Sequence, residues 1–142
     1  MYEYLDDGVT SDVTFEARAG TLVDLFREAA DATTNVMVES LDSIRPSATH
    51  ALVADAESLD LLLARFLDEL IFAKDAHGRL LRATHVEVEK TERGFRVDAS
   101  FAGEEIDAER HRLASDVKAV TLHGLAVTKD GGLWHARVTL DV

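Results

Sequence analysis

Apolar and polar residues alternate from Asp12 onward, with Val13, Phe15 and Ala17 on one side and Asp12, Thr14 and Glu16 on the other. A period of two marks a half-buried strand, because successive side chains leave opposite faces of the pleat. After Gly20 the period lengthens, and Leu22, Leu25, Phe26, Ala29 and Thr33 share one face of a helix that continues toward Met37. Thr21, with Asp24 three residues on, suits the cap of its first turn. Pro46, the only proline, breaks any helix before a strand expected near 48–54. Residues 55–58 then offer caps for a second helix, in which Leu59, Leu62, Leu63, Phe66, Leu70 and Ile71 recur at helical spacing to about Lys74. From Arg79 the period returns to two, predicting strands near 80–90, 95–101, 117–128 and 133–141. Asp6-Asp7-Gly8 reads as a turn, and Asp130-Gly131-Gly132 as a tight hairpin.

Two helices placed ahead of most of the strands indicate an α+β fold: a largely antiparallel sheet with two amphipathic helices packed on one face, as a single layered domain over 1–142. At 142 residues no second domain is needed, and no repeat or linker divides the chain. The longest irregular stretch, 102–116, is charged, which suits contact with a partner.

The net charge of -12 changes the functional picture. Nucleic-acid affinity comes largely from lysine and arginine displacing counterions, so direct RNA binding is disfavoured. The 11 arginines outnumber the 4 lysines, and an acidic, lysine-poor surface suits a cytoplasm near molar salt, where the Debye length is about 3 Å. A halophilic source is therefore expected. The absence of cysteine removes disulfides, thiolate zinc sites and cysteine nucleophiles. No run approaches the roughly 18 to 20 apolar residues that span a membrane, and a soluble, cytoplasmic protein is expected.

Candidate chemistry concentrates at the two ends. Asp141 and Val142 bring together a side-chain carboxylate, a backbone carbonyl and the final carboxylate, hard oxygen ligands suited to Ca²⁺ or Mg²⁺. A hairpin turning at Asp130-Gly131 would set Val120 opposite Asp141, with Lys118 on the diagonal. That Lys118–Asp141 pair reads either as a structural ion pair or as part of a cation or partner site. Asp12 reads as a strand-start carboxylate bonded to nearby backbone, or, beside Asp141, as a second ligand. The six histidines lack metal-ligand spacing; His123 and His135, on neighbouring strands, read as packing residues that could meet. Hydrolase and nucleotide-binding motifs are absent, so a carboxylate–histidine hydrolase ranks last.

Several stretches carry a family likeness over nearly the whole chain. Tyr2-Glu3-Tyr4-Leu5 followed by Thr10-Ser11-Asp12-Val13 opens it, and the helical segments around Gly20-Thr21-Leu22 and Phe66-Leu67-Asp68-Glu69-Leu70-Ile71 continue it. Asp107-Ala108-Glu109-Arg110-His111, Val117-Lys118-Ala119-Val120-Thr121-Leu122-His123-Gly124-Leu125 and Trp134-His135-Ala136-Arg137-Val138-Thr139-Leu140-Asp141-Val142 close it. In this order and spacing the chain resembles the archease family. The resemblance implies an accessory protein without substrate chemistry of its own, which activates the RtcB-type RNA ligase of tRNA splicing by promoting its guanylylation and multiple turnover. It also implies that Asp12, Asp141 and Val142 bind a Ca²⁺-like ion and that Lys118 and Glu104 engage the ligase. The chain departs from the family pattern with Val9 in place of a histidine and Ser11 in place of an alanine. A competing expectation is a chaperone or specificity modulator of another RNA-modifying enzyme, such as a tRNA methyltransferase.

Overall fold

The structure, a computed structural model, describes residues 1–5 and 12–142. The turn expected at Asp6-Asp7-Gly8 and the positions Val9, Thr10 and Ser11 lie outside the described residues.

Both predicted helices form where their caps allow. Helix α1 (Leu22–Met37) starts at Thr21, whose hydroxyl accepts the Asp24 N–H at 3.1 Å, supplying a partner to one of the free amides of the first turn. Helix α2 (Leu59–His77) starts at Ser58 and runs one turn nearly beyond its expected end. It stops at Gly78, which takes the left-handed conformation (φ 61°) that glycine adopts without a Cβ clash. The strands are β1 (Tyr2–Leu5), β2 (Asp12–Ala19), β3 (Ala48–Ala56), β4 (Arg79–Lys90), β5 (Phe95–Glu105), β6 (Ala119–Asp130) and β7 (Leu133–Asp141). Strand β1 had no sequence signal; it pairs with β2, and the Tyr4 hydroxyl donates to the Ala32 carbonyl of α1 at 2.7 Å.

The fold class is α+β with antiparallel strands, but the strands divide into two sheets where one was expected. One sheet has the order β1-β2-β7-β6, the other β3-β5-β4. The reason lies in α2. Leu62, Leu63, Ala64, Phe66, Leu67, Leu70, Ile71 and Ala73 are all buried, a band too wide for a single sheet to cover. Accordingly α2 packs on β3, β4 and β5 from one sheet and β6 from the other, while α1 packs on β1, β2 and β7 and also on β4. Each sheet turns one face to the helices, and Phe15, Phe26, Phe66, Phe101, Val138 and Leu140 meet in one fully buried core. Burying each of these side chains contributes roughly 1.5–3 kcal/mol.

The long charged loop is shorter than expected and firmly held. Strand β5 continues through Gly103, where a Cβ would come within 1.8 Å of the Leu80 carbonyl, so only glycine allows β4 and β5 to stay paired there. The remaining segment, 106–118, is a strap across the end of α1. Its Ala114 and Ser115 N–H groups donate to the Met37 and Val36 carbonyls, each at 2.9 Å, and its Arg112 carbonyl accepts the Glu39 N–H at 2.9 Å. The first two bonds satisfy carbonyls that a helix C-terminus leaves free. Among the described residues no helix is long and apolar enough to cross a membrane.

Candidate functional site

The pairing of β2 with β7 runs from Ala19↔Trp134 to Asp12↔Asp141, so two aspartates 129 positions apart in the chain stand directly opposite each other at the open end of the ladder. Residues opposite one another in an antiparallel pair share a face of the sheet. Both aspartates and Val142 are half-buried, and Val142 packs against the core. Among the described residues no lysine, arginine or histidine is ion-paired to Asp12 or Asp141. Two like charges in this arrangement repel, a cost of a few tenths to about 1 kcal/mol.

The third strand at this corner is β6, in a register one residue from that expected. The hairpin turns at Gly131-Gly132, with Asp130 opposite Leu133. Further along, Leu122, His123, Gly124 and Leu125 lie between the pairs Thr121↔Thr139 and Ala126↔Arg137, against Val138 alone. The bulge outweighs the displaced turn, and Ala119, not Val120, stands opposite Asp141. The expected diagonal pair of Lys118 with Asp141 is not formed. Lys118 instead donates its backbone N–H to the Asp141 carbonyl at 2.8 Å, and its side chain is exposed beside Asp116. The same bulge separates His123, which is exposed in it, from His135, which stands opposite Thr128.

Two residues inward from the acidic pair, the face carries hydroxyls. Thr14 and Thr139 are buried with their Oγ1 atoms 2.8 Å apart, and Thr121 stands opposite Thr139 with a buried Oγ1 that has no partner.

Glu104 has a different place from the partner surface expected for it. Its side chain is only 10% exposed, under the segments 43–45 and 107–111. One carboxylate oxygen accepts the Arg45 N–H at 2.6 Å and bonds His111 Nε2 at 3.0 Å, while the other accepts from Arg110. His111 Nδ1 accepts the Asp107 N–H at 2.9 Å, so in the neutral ring Nε2 carries the proton and donates to Glu104. Burial pushes the Glu104 carboxyl up, but the Arg45 amide, Arg110 and His111 outweigh it and hold it down to about 2. A carboxylate so fully engaged is a clasp between loops.

Lys74, near which the sequence predicts the end of α2, contacts the segment just ahead of Lys118. Its side chain is 10% exposed, and its Nζ donates to the Val117 carbonyl at 2.6 Å and to Asp116, and pairs with Asp75 at 2.7 Å.

Residues 2–142 match the archease protein family. The chain belongs to that family. It is 31% identical over 134 residues to the protein archease of Pyrococcus abyssi and 33% identical over 133 residues to that of Methanopyrus kandleri, covering 94% of both chains in each comparison. The solution structure of Methanobacterium thermoautotrophicum protein 1598 superposes with a TM-score of 0.84 at 31% identity, over 99% of this chain and 98% of that one. A crystal structure from Thermotoga maritima, described as an archease and possible chaperone, matches with a TM-score of 0.55 at 14% identity over 94% and 93% of the two chains, a likeness of fold alone.

In this archease, the corner fits a hard divalent ion in ligand type but not in ligand number. Facing carboxylates without an ion-paired basic side chain among the described residues suit Ca²⁺, which takes six to eight oxygens. Among the described residues no group of three or more His, Cys, Asp or Glu side chains gathers to close such a shell. Water or a partner's oxygens would have to complete it.

Proposed function

We propose that this archease is a cytoplasmic accessory protein, not itself an enzyme, that activates an RtcB-type tRNA-splicing ligase by promoting its guanylylation and multiple turnover. In this reading Asp12, Asp141 and Val142 hold Ca²⁺ or another hard divalent cation, and the exposed Lys118 side chain contacts the ligase. Glu104 acts from within, by holding the strap. The observation that carries the reading is the pairing of Asp12 with Asp141, because it places two unneutralised carboxylates at the sheet end. An incomplete ligand shell suits a role in which the ligase pocket supplies the remaining oxygens. Activation further requires that the helper bind the competent state of the ligase more tightly than the stalled one.

The test is multiple-turnover ligation with RNA in excess over a cognate ligase. Addition of the protein should stimulate turnovers after the first, and Asp12→Ala or Asp141→Ala should abolish that stimulation while the circular dichroism spectrum stays unchanged. Full stimulation by both variants would rule the role out. A second reading, as a chaperone or specificity modulator of another RNA-modifying enzyme such as a tRNA methyltransferase, uses the same acidic surface and needs no ion at the corner. Recovery of a methyltransferase in place of a ligase as the chief partner in a pull-down would support it.

A further inference from the structure

Lys74 lies in the last turn of α2, next to buried Ala73, and its ammonium bonds to Asp116 and the Val117 carbonyl of the strap and to its neighbour Asp75. It grips the Asp116 carboxylate and the carbonyl of Val117, a residue that is itself fully buried. The next residue, Lys118, donates its N–H to the Asp141 carbonyl, so a short chain of bonds leads from the interior of α2 to the acidic corner. Strand β6 is an edge strand that begins only at Ala119. Ahead of it the strap is fastened to α1 through Ala114 and Ser115, and to α2 through Lys74. Burying an ammonium is unfavourable unless it is paired and hydrogen-bonded, and an apolar residue would serve packing alone at least as well. Here burial lowers the Lys74 pKa, but its bonds to Asp116 and Asp75 outweigh that, leaving it raised and the group charged.

We infer that Lys74 is the positioning residue of the acidic corner: it fixes the start of β6 and through it the placement of Asp141 and Lys118 relative to Asp12. The inference rests on reading that corner as the functional site, and it assigns the control of its geometry to a side chain that touches neither aspartate. Groups that orient and support a ligand tune its affinity, and their loss typically costs about tenfold to a hundredfold.

The test compares wild type with Lys74→Met, Lys74→Arg and Asp116→Asn by amide hydrogen exchange and by calorimetric Ca²⁺ titration. Lys74→Met should speed exchange of the Lys118 amide about tenfold while the Val97 amide in β5 keeps its rate. Its Ca²⁺ affinity should fall about tenfold or more. Lys74→Arg should restore both, and Asp116→Asn, which removes an exposed partner, should shift both in the same direction by less. Unchanged Lys118 exchange in folded Lys74→Met, or faster exchange spread evenly over the sheet, would overturn the inference. Should Lys74→Met fail to fold, Asp116→Asn decides alone, and an unaltered Lys118 rate in it contradicts the positioning role. If wild type takes up no Ca²⁺, the reading of the corner fails, while the exchange rates still decide the role of Lys74.

Discussion

Asp141 and Glu104 are both strand carboxylates near a loop, yet their surroundings give them opposite roles. Asp141 faces another carboxylate and, among the described residues, has no ion-paired partner, whereas Glu104 is enclosed by three donors. Neither outcome follows from residue type. Alternation along β5 puts Glu104 on the same side as Asp98 and Ser100, away from buried Val97, Ala99 and Phe101, and only the covering loops bury it. This is why its interior position was not legible in the sequence; the meeting of Asp12 with Asp141 was expected there only through the family resemblance. The clasp has a pH signature. Because the folded pKa of Glu104, about 2, lies below its ordinary value of 4.5, its contribution to stability is fully present above about pH 4.5 and is lost as the pH falls toward 2. Acid titration of Glu104→Gln should therefore start from a lower thermal midpoint at neutral pH and decline less between pH 4.5 and 2 than wild type does. Parallel curves would assign acid sensitivity to other carboxylates.

Among the elements, the helices were the most legible because each carries its own start signal and apolar face: Thr21 before α1 and the caps of 55–58 before α2. Strand pairing was less so. Strand β2 finds its partner at the far end of the chain, and β3 lies beside β5, not β4, choices made by the wide apolar band of α2 and not by any local pattern. The register of β6 departs from the expected one for a local reason, which the sequence marks. Gly124, with φ 68°, sits in an otherwise strand-like run, and glycine inside a strand often marks a bulge. A bulge there breaks the continuous ladder on which the Lys118–Asp141 pair depends.

The whole molecule carries a net charge of -12, and the ion pairs Arg82–Asp31, Arg96–Asp55 and Arg137–Glu16 engage only some of its 27 acidic residues. The rest repel one another across the surface at low ionic strength, and salt relieves that repulsion. A halophilic setting would make use of this relief, so the thermal midpoint should rise steadily from 10 mM to molar KCl. A midpoint that is flat or falls with salt would contradict that origin for the charge. Repulsion is most local at the Asp12–Asp141 corner, where the central claim, that these two carboxylates form a cation site, can be measured directly by thermal unfolding of wild type and Asp141→Asn in chelator and in excess Ca²⁺. Wild type should gain about 2.7 kcal/mol when the free ion stands a hundredfold above its Kd. Asp141→Asn should start more stable than wild type in chelator, by a few tenths to about 1 kcal/mol, and gain nothing from the ion. A wild-type protein indifferent to Ca²⁺, or a variant that keeps the full gain, would contradict it.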